Sequence, residues 1–254
     1  MATRRLTPSF AYYRKLRNLY LIAVIFFLAL LLGLALYAYV IDATLTWLQS
    51  VVFIFTAVYG VLLLVIRQQL FTTNMLLHYY RMIEENLPTV KGKHSPYDAK
   101  FDARLKTLGF TLGIENGLYR IYYQVHPRTP YIKRTAPTLV WLVVFNATER
   151  ESPFFLERSE EDFQFIKATI PSSQKILNEF TFWFQQVDEW QQPQIAKFQQ
   201  IINFVMSNRA VISIPCAVLP TQKTYYYLRP IKQFPNKYYY AAIKYIEAIL
   251  EVND

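Results

Sequence analysis

Residues 18–41 of the chain read NLYLIAVIFFLALLLGLALYAYVI, and residues 43–66 read ATLTWLQSVVFIFTAVYGVLLLVI. Both stretches are 24 residues long and uncharged, and only Asp42 lies between them. A helix needs about 20 mostly apolar residues to cross a hydrocarbon core of about 30 Å. A single chain segment that crosses the core in this way must be helical, because lipid offers its backbone no hydrogen-bonding partner. The pattern predicts a transmembrane hairpin over residues 19–66, with helices at 19–41 and 46–66.

Basic residues flank this hairpin on one side only. The arm at residues 1–18 is basic, Arg67 follows the second helix, and the connecting segment carries no basic residue. By the positive-inside rule, we expect a multi-pass protein of the cell (inner) membrane with both termini cytoplasmic. Aromatic rings near helix ends favour the headgroup level. The predicted membrane-interface residues are Arg14, Lys15, Arg17, Tyr20, Trp47 and Arg67.

Composition excludes several other classes of protein. Hydrophobic residues make up 53% of the 254 residues and aromatic residues 17%, which excludes a disordered chain. One cysteine cannot form an internal disulfide, which excludes a secreted disulfide scaffold. A cleaved signal peptide has an apolar stretch of only about 7–15 residues, shorter than either run here.

Residues 67–97 are predicted to form a connecting helix followed by a linker. The helix extends the second span as far as Pro88, and its apolar residues in the segment 70–83 cover most of its circumference. Such a helix either self-associates as a stalk or packs on its own domain. The stretch at 91–100 is either a solvated linker or a contact to anionic headgroups.

Residues 98–254 are predicted to form a cytoplasmic α+β domain, with a mainly antiparallel sheet and flanking helices. A short helix should end at Gly109. Asn116-Gly117 between two β-prone runs indicates a β-hairpin. The spacing of Gly109, Gly113 and Gly117 would alternatively suit a helix-packing face. The apolar run at 138–147 is typical of a central strand.

The second half of this domain is predicted to contain four helices and two strands. Helices are expected from Ser159 to Thr169, over residues 172–190, from Pro193 to residue 208, and from an Asn236 cap to Glu251. Two strands should meet at a turn at residues 221–223. Pro215 predicts that its strand lies at an edge or carries a bulge.

No catalytic motif stands out. The sequence lacks the nucleotide-binding, metalloprotease and hydrolase signatures, and its three histidines are dispersed at 78, 94 and 126. Cys216 lies among apolar residues, and this context predicts a buried thiol. The carboxylates between Glu149 and Asp162 are typical of a solvated helix start, although a pair of them could serve acid–base chemistry. We expect no cofactor, no metal site and no nucleic-acid partner.

The basic arm, the two close spans and the long following helix together resemble the two-span SLATT modules. This resemblance is one of architecture over residues 1–87, and it implies an effector role in a bacterial membrane. From the residues themselves we expect a non-catalytic, membrane-anchored scaffold or regulator. Its domain would bind a ligand or a protein partner, and the 70–83 segment is a candidate for self-association. The alternatives are an enzyme acting on a lipid-linked substrate and a two-span pore-forming effector.

Overall fold

A computed structural model describes the chain at residues 9–40, 46–85, 89–133, 135–149, 153–154, 157–171, 173–190, 192–206, 209–231 and 233–252. The side chains of residues 46–49 and 192–194 are outside this description, as are residues 1–8 of the predicted arm and the predicted turn at 41–45. The chain divides into two compact units at residues 1–84 and 85–254.

The first unit is an antiparallel pair of long helices, here called the apolar hairpin. Helix α1 is Phe10–Val40 and helix α2 is Thr46–Glu84. They pack against each other at more than one level: the Tyr59 hydroxyl lies 3.5 Å from the carbonyl oxygen of Val24, and the Tyr13 ring stacks on Tyr80. By length and composition, both helices could cross a membrane. In their most apolar windows only 0% and 6% of the residues are buried, so apolar surface faces outward along both helices.

The second unit is built on a mixed sheet with the order β1-β8-β7-β5-β4-β3-β2, in which β6 also pairs with β7. The central strands β4, β5 and β7 are parallel to one another, and every other described pairing is antiparallel. Its strands are β1 (Val90–Lys91), β2 (Thr111–Glu115), β3 (Tyr119–His126), β4 (Thr138–Phe145), β5 (Asn178–Gln186), β6 (Ile202–Met206), β7 (Arg209–Leu219) and β8 (Thr224–Tyr226). Its helices are α3 (Phe101–Thr107), α4 (Glu157–Thr169), α5 (Gln192–Phe198) and α6 (Lys237–Leu250).

Helices cover both faces of the central strands. On one face, Trp141 and Trp183 of the sheet pack in the same cluster as Phe163 of α4 and Phe198 of α5. On the other face, the Phe182 ring of β5 stacks on Tyr245 of α6. Strand β4 is buried at every position, because helices cover both faces of the sheet there. The domain is therefore a helix–sheet–helix sandwich in the α+β class that the sequence predicts.

Local sequence signals predicted several of these elements correctly. Helix α3 is followed by Gly109, whose φ of 87° is the left-handed conformation typical of a helix stop. Strands β2 and β3 form the predicted hairpin around Asn116, so the alternative helix-packing face is wrong. Asn236 caps α6 with its side chain, as expected.

The predicted helix over 172–190 is wrong, since this segment contains the central strand β5. Its residues Phe180 to Phe184 are aromatic or β-branched and buried on both faces, and such a run lacks the alternation that marks a half-buried strand. The predicted helix from Pro193 is also too long. Helix α5 ends at Phe198, and β6 follows at Ile202–Met206.

Three finer predictions also need correction. The sheet is mixed: its other described pairings are antiparallel, as expected, but the misassigned β5 brings two parallel pairings into its centre. Pro215 does not lie on an edge strand, since β7 pairs with β5 on one side and with β6 and β8 on the other. On that side, β7 pairs with β6 as far as Ser213 and with β8 from Ala217 onward, so Pro215 falls between its two neighbours. Ser159 lies inside α4 rather than at its cap.

Candidate functional sites

The predicted interface residues gather at one end of the apolar hairpin, with one exception. Arg14 and Lys15 are exposed on α1, Arg17 is half-buried and Arg67 is exposed on α2. Because residue 59 of α2 lies beside residue 24 of α1, an antiparallel pair brings Arg67 level with Arg17. Tyr20 follows one turn further along α1. The structure thus collects one basic collar at the level of residues 14–20 and 67.

The apolar lengths beyond this collar match on the two helices. Residues 18–40 of α1 rise about 34 Å and residues 46–66 of α2 about 31 Å, at about 1.5 Å per residue. Both lengths suit a hydrocarbon core of about 30 Å. Trp47 lies in the first turn of α2, at the opposite end, and its side chain is outside the described residues.

The segment after Arg67 continues α2 and packs beside the first turns of α1. The Tyr13 and Tyr80 rings stack with centroids 5.2 Å apart, and the backbone N–H of Phe10 donates to the Glu84 carboxylate at 3.4 Å. Within the segment 70–83, Leu77 and Met82 are buried. Phe71 and Met75 remain exposed, at 60% and 43%.

In the second unit, an open groove of about 390 Å³ follows the end of α6 and is lined partly by Lys93, Tyr131 and Glu251. The Glu251 carboxylate contacts Arg104 at 2.7 Å and Lys93 at 3.4 Å. Burial opposes ionisation of Glu251, but these cations outweigh it and lower its pKa. Arg104 Nε also donates to the Ile249 carbonyl at 3.0 Å. Arg104 therefore caps the C-terminus of α6, which favours positive charge.

A second ion-pair cluster lies one turn earlier on α6. The side chain of Glu247 is only 9% exposed, and it contacts Arg229 at 2.6 Å and Lys244 at 2.9 Å. The nearby Tyr227 hydroxyl is buried, and burial followed by the Glu247 charge raises its pKa. The cations around Glu247 compensate the cost of burying this carboxylate.

A polar cluster lies at the carboxyl end of the parallel strand β5. The fully buried Gln185 donates to the Glu149 carbonyl at 2.6 Å and accepts from Lys197 of α5 at 2.6 Å. The Lys197 ammonium also lies 4.9 Å from the centre of the Phe154 ring. Helices α4 and α5 cover the same face of the sheet here. The cluster fastens α5 and the loop after β4 to the sheet.

Several tyrosine hydroxyls make further polar contacts in this unit. Tyr119 donates to Asp162 at 2.7 Å, and burial followed by this hydrogen bond raises the pKa of Tyr119 to about 12. Tyr122 donates to Asp102 at 2.6 Å, and Arg120 pairs with the same carboxylate. The acidic stretch after Glu149 therefore contributes Asp162 to a packed hydrogen bond.

The histidines and the cysteine stay apart. His78 lies on α2, while His94 pairs with Glu251 at 3.5 Å and His126 contacts Tyr245 at 2.6 Å. Among the described residues, no group of three or more His, Cys, Asp and Glu side chains could hold a metal ion. Cys216 is fully buried, and burial raises the pKa of its thiol.

Sequence reasoning missed the ion pairs of α6 and the tyrosine contacts. Arg104 and Glu251 lie 147 positions apart, and Tyr119 and Asp162 lie 43 apart, so no local pattern connects them. Only the abundance of tyrosine, 20 residues, hinted at a hydroxyl-rich core.

The fold and sites define an apolar helical hairpin joined to an α+β domain with helices on both faces of a mixed sheet. No protein-family model matches the chain, and no curated protein or solved structure is significantly similar to it.

Proposed function

We propose that this chain is a non-catalytic scaffold or regulator, anchored in the cell (inner) membrane by its apolar hairpin. Both termini and the 85–254 domain lie on the cytoplasmic side, where the domain binds a protein partner or a ligand. One observation carries the proposal: two apolar helices that could span a bilayer bury 0% and 6% of the residues in their most apolar windows, and they meet a basic collar at one end. A soluble protein rarely leaves such a large apolar surface uncovered.

The collar supports the orientation. Arg14, Lys15 and Arg67 are exposed at the level where both apolar stretches begin, so they can contact anionic headgroups. Each basic residue near an anionic surface contributes about 1 kcal/mol of attraction. Tyr20 follows at the depth that amphipathic rings prefer.

Four carboxylates of the domain are engaged in contacts within the fold. Asp102, Asp162, Glu247 and Glu251 each contact a cation or a tyrosine hydroxyl inside the fold. These contacts cap a helix or fasten a helix to the sheet. Carboxylates held in this way are already used in the stability of the domain.

Alkaline carbonate extraction and flotation with lipid vesicles test the anchoring. We expect the full chain to stay in the membrane pellet and to float, whereas the fragment 85–254 remains soluble. Carbonate removes peripheral proteins, so the comparison separates a spanning hairpin from adsorption through the collar. Release of the full chain by carbonate would contradict the proposal.

Self-association through the 70–83 segment is part of the same proposal, and its exposed apolar residues are the ones that can meet another copy. Phe71→Ser with Met75→Ser should reduce oligomers in detergent while leaving insertion intact. Leu77→Ala is the matched control, because Leu77 is buried and its loss weakens packing within the chain. Size-exclusion chromatography with light scattering measures both variants. Unchanged oligomers after the double substitution, or a monomeric parent, would contradict this contact.

A further inference from the structure

The edges of the sheet differ in how they are protected. Strand β1 has only two residues, and β2 carries a register shift between Leu112 and Ile114 and ends on Glu115. Short strands, bulges and charges are the usual means of preventing edge-to-edge pairing. Strand β6 reads INFVM over Ile202–Met206, with no charge, no proline and an unbroken register against β7.

Strand β6 also exposes an apolar stripe. Ile202, Phe204 and Met206 are 40%, 44% and 61% exposed, and they alternate with more buried residues as one face of a strand requires. Within the described chain, residues 202–206 form backbone hydrogen bonds only with β7. About half of the backbone groups of a strand point to each side, so the outer edge of β6 offers donors and acceptors to another strand.

This strand is held firmly by the domain. All five of its residues pair with β7, and the Asn203 side chain accepts a hydrogen bond at 2.8 Å from Asn236, the cap of α6. The stripe therefore belongs to an ordered, preformed edge, and pairing would require little additional ordering.

We propose that β6 pairs antiparallel with β6 of a second copy of this chain, about a twofold axis at Phe204. In that register Phe204 faces its counterpart, and Ile202 of each copy faces Met206 of the other. Because Val211 of β7 lies opposite Phe204, the central row across four strands contains only Val211, Phe204 and their counterparts. The strand is self-complementary in size and polarity, and pairing places no like charges opposite each other.

This inference rests on the proposed function, because the membrane anchor sets the local concentration of the copies that pair. A five-residue strand pair buries less surface than the roughly 1,200–2,000 Å² of a standard stable interface, so the pairing is weak in dilute solution. Anchoring in one membrane raises the effective concentration of the copies and favours pairing without new contacts. Pairing is therefore measured on the full chain in vesicles.

Disulfide cross-linking of floated vesicles tests the pairing. Native Cys216 is fully buried, so introduced cysteines report alone. Phe204→Cys should form an intermolecular disulfide at least about tenfold faster than Phe165→Cys, because pairing raises the local concentration of the 204 thiols only. Phe165 is a matched control, since it is 66% exposed and lies on α4.

Register provides a second, independent measurement. A mixture of Ile202→Cys and Met206→Cys chains should form mixed disulfides, because these residues face each other across the pair. Chains that all carry Ile202→Cys should not cross-link, because position 202 of one copy lies four residues from position 202 of the other. That offset is about 13 Å along the strands. A Phe204→Lys substitution in both chains should abolish the mixed disulfide, because it places like charges directly opposite.

Three results would overturn the pairing: no cross-link at 204, equal rates at 204 and 165, or self-linking of Ile202→Cys as fast as the mixed pair. Occupation of the edge by a different protein would give the first of these. Failure of the membrane anchor is distinguishable, because the chain would then be missing from the floated fraction before any cross-linking is scored.

Discussion

Asn236 fixes the start of α6 through its side chain. Its Oδ1 accepts from the backbone N–H of Tyr239 at 2.8 Å, and its own backbone is extended, as expected of an N-cap. Asn236→Ala should lower the free energy of unfolding by about 1 kcal/mol, while Asn236→Ser should retain most of it. Urea denaturation followed by tryptophan fluorescence measures the difference. Equal losses in both variants would instead assign the effect to the amide contact with Asn203.

His126 should make stability depend on pH. Its Nε2 lies 2.6 Å from the Tyr245 hydroxyl, which donates to Gln124, and burial lowers the pKa of His126 below its ordinary 6.5. The unfolded chain therefore takes up the proton first as the pH falls, so stability is full above about 6.5 and declines below it. Denaturation at pH 7.5 and pH 5.5 should show this decline, and His126→Gln should reduce it. An equal decline in the variant would assign the effect to other groups.

At the residue scale, predictability follows distance along the chain. The Asn236 cap and the helix stop at Gly109 each depend on residues within about four positions of one another, and both were predicted correctly. The contact between His126 and Tyr245 joins positions 119 apart, and it exists only because β3 and α6 pack together. No spacing rule could have paired these two residues.

At the element scale, strands β5 and β6 show why the hydrophobic period of a sequence, taken alone, can assign a segment to the wrong element. Strand β5 is buried on both faces and so has no alternation, which leaves it indistinguishable from a buried helix. Strand β6 does alternate, but α5 directly precedes it and its apolar residues extend the helical pattern. Strand β5 has partners that are distant in sequence, whereas β6 pairs with β7, which begins three residues after Met206.

Substitution of Gly92 tests whether the stretch at 91–100, which was predicted as a linker, belongs to the domain. Gly92 follows β1, its N–H donates to the Lys223 carbonyl at 3.0 Å, and a Cβ there would lie 2.7 Å from the Leu250 carbonyl oxygen. Backbone cannot move away as a flexible side chain would. Gly92→Ala should therefore cost about 1–3 kcal/mol of stability, as overpacking does.

Gly117 provides the matched control for this substitution. A Cβ at Gly117 meets nothing within 4 Å, so Gly117→Ala should change stability by no more than about 0.5 kcal/mol. Thermal unfolding of both variants gives the comparison. Equal stability of the two variants would mean that the segment at 92 packs loosely on α6.

At the scale of the whole molecule, apolar surface is distributed differently in the two units. The hairpin leaves its apolar residues exposed along both helices, whereas the domain buries its own beneath helices on both faces of the sheet. The first pattern suits lipid and the second suits water. This division was predictable, because a 24-residue uncharged run needs no tertiary information to be recognised.

Orientation of the hairpin is the remaining prediction at this scale, and Cys216 makes it easy to test. The native thiol is buried with a raised pKa, so an impermeant maleimide should not modify it in the folded chain. Thr44→Cys places a single reactive thiol in the predicted turn, which lies outside the described residues. Phe165→Cys places one on α4, where the native side chain is 66% exposed.

With both termini cytoplasmic, intact spheroplasts should label the chain at 44 and leave it unlabelled at 165. The physical reason is the basic collar: Arg14, Lys15, Arg17 and Arg67 lie at one end of the hairpin, and positive residues are retained on the cytoplasmic side. Breaching the membrane should then add labelling at 165 without changing that at 44. Labelling at 165 before the breach and at 44 only after it would reverse the orientation and place the domain on the opposite side.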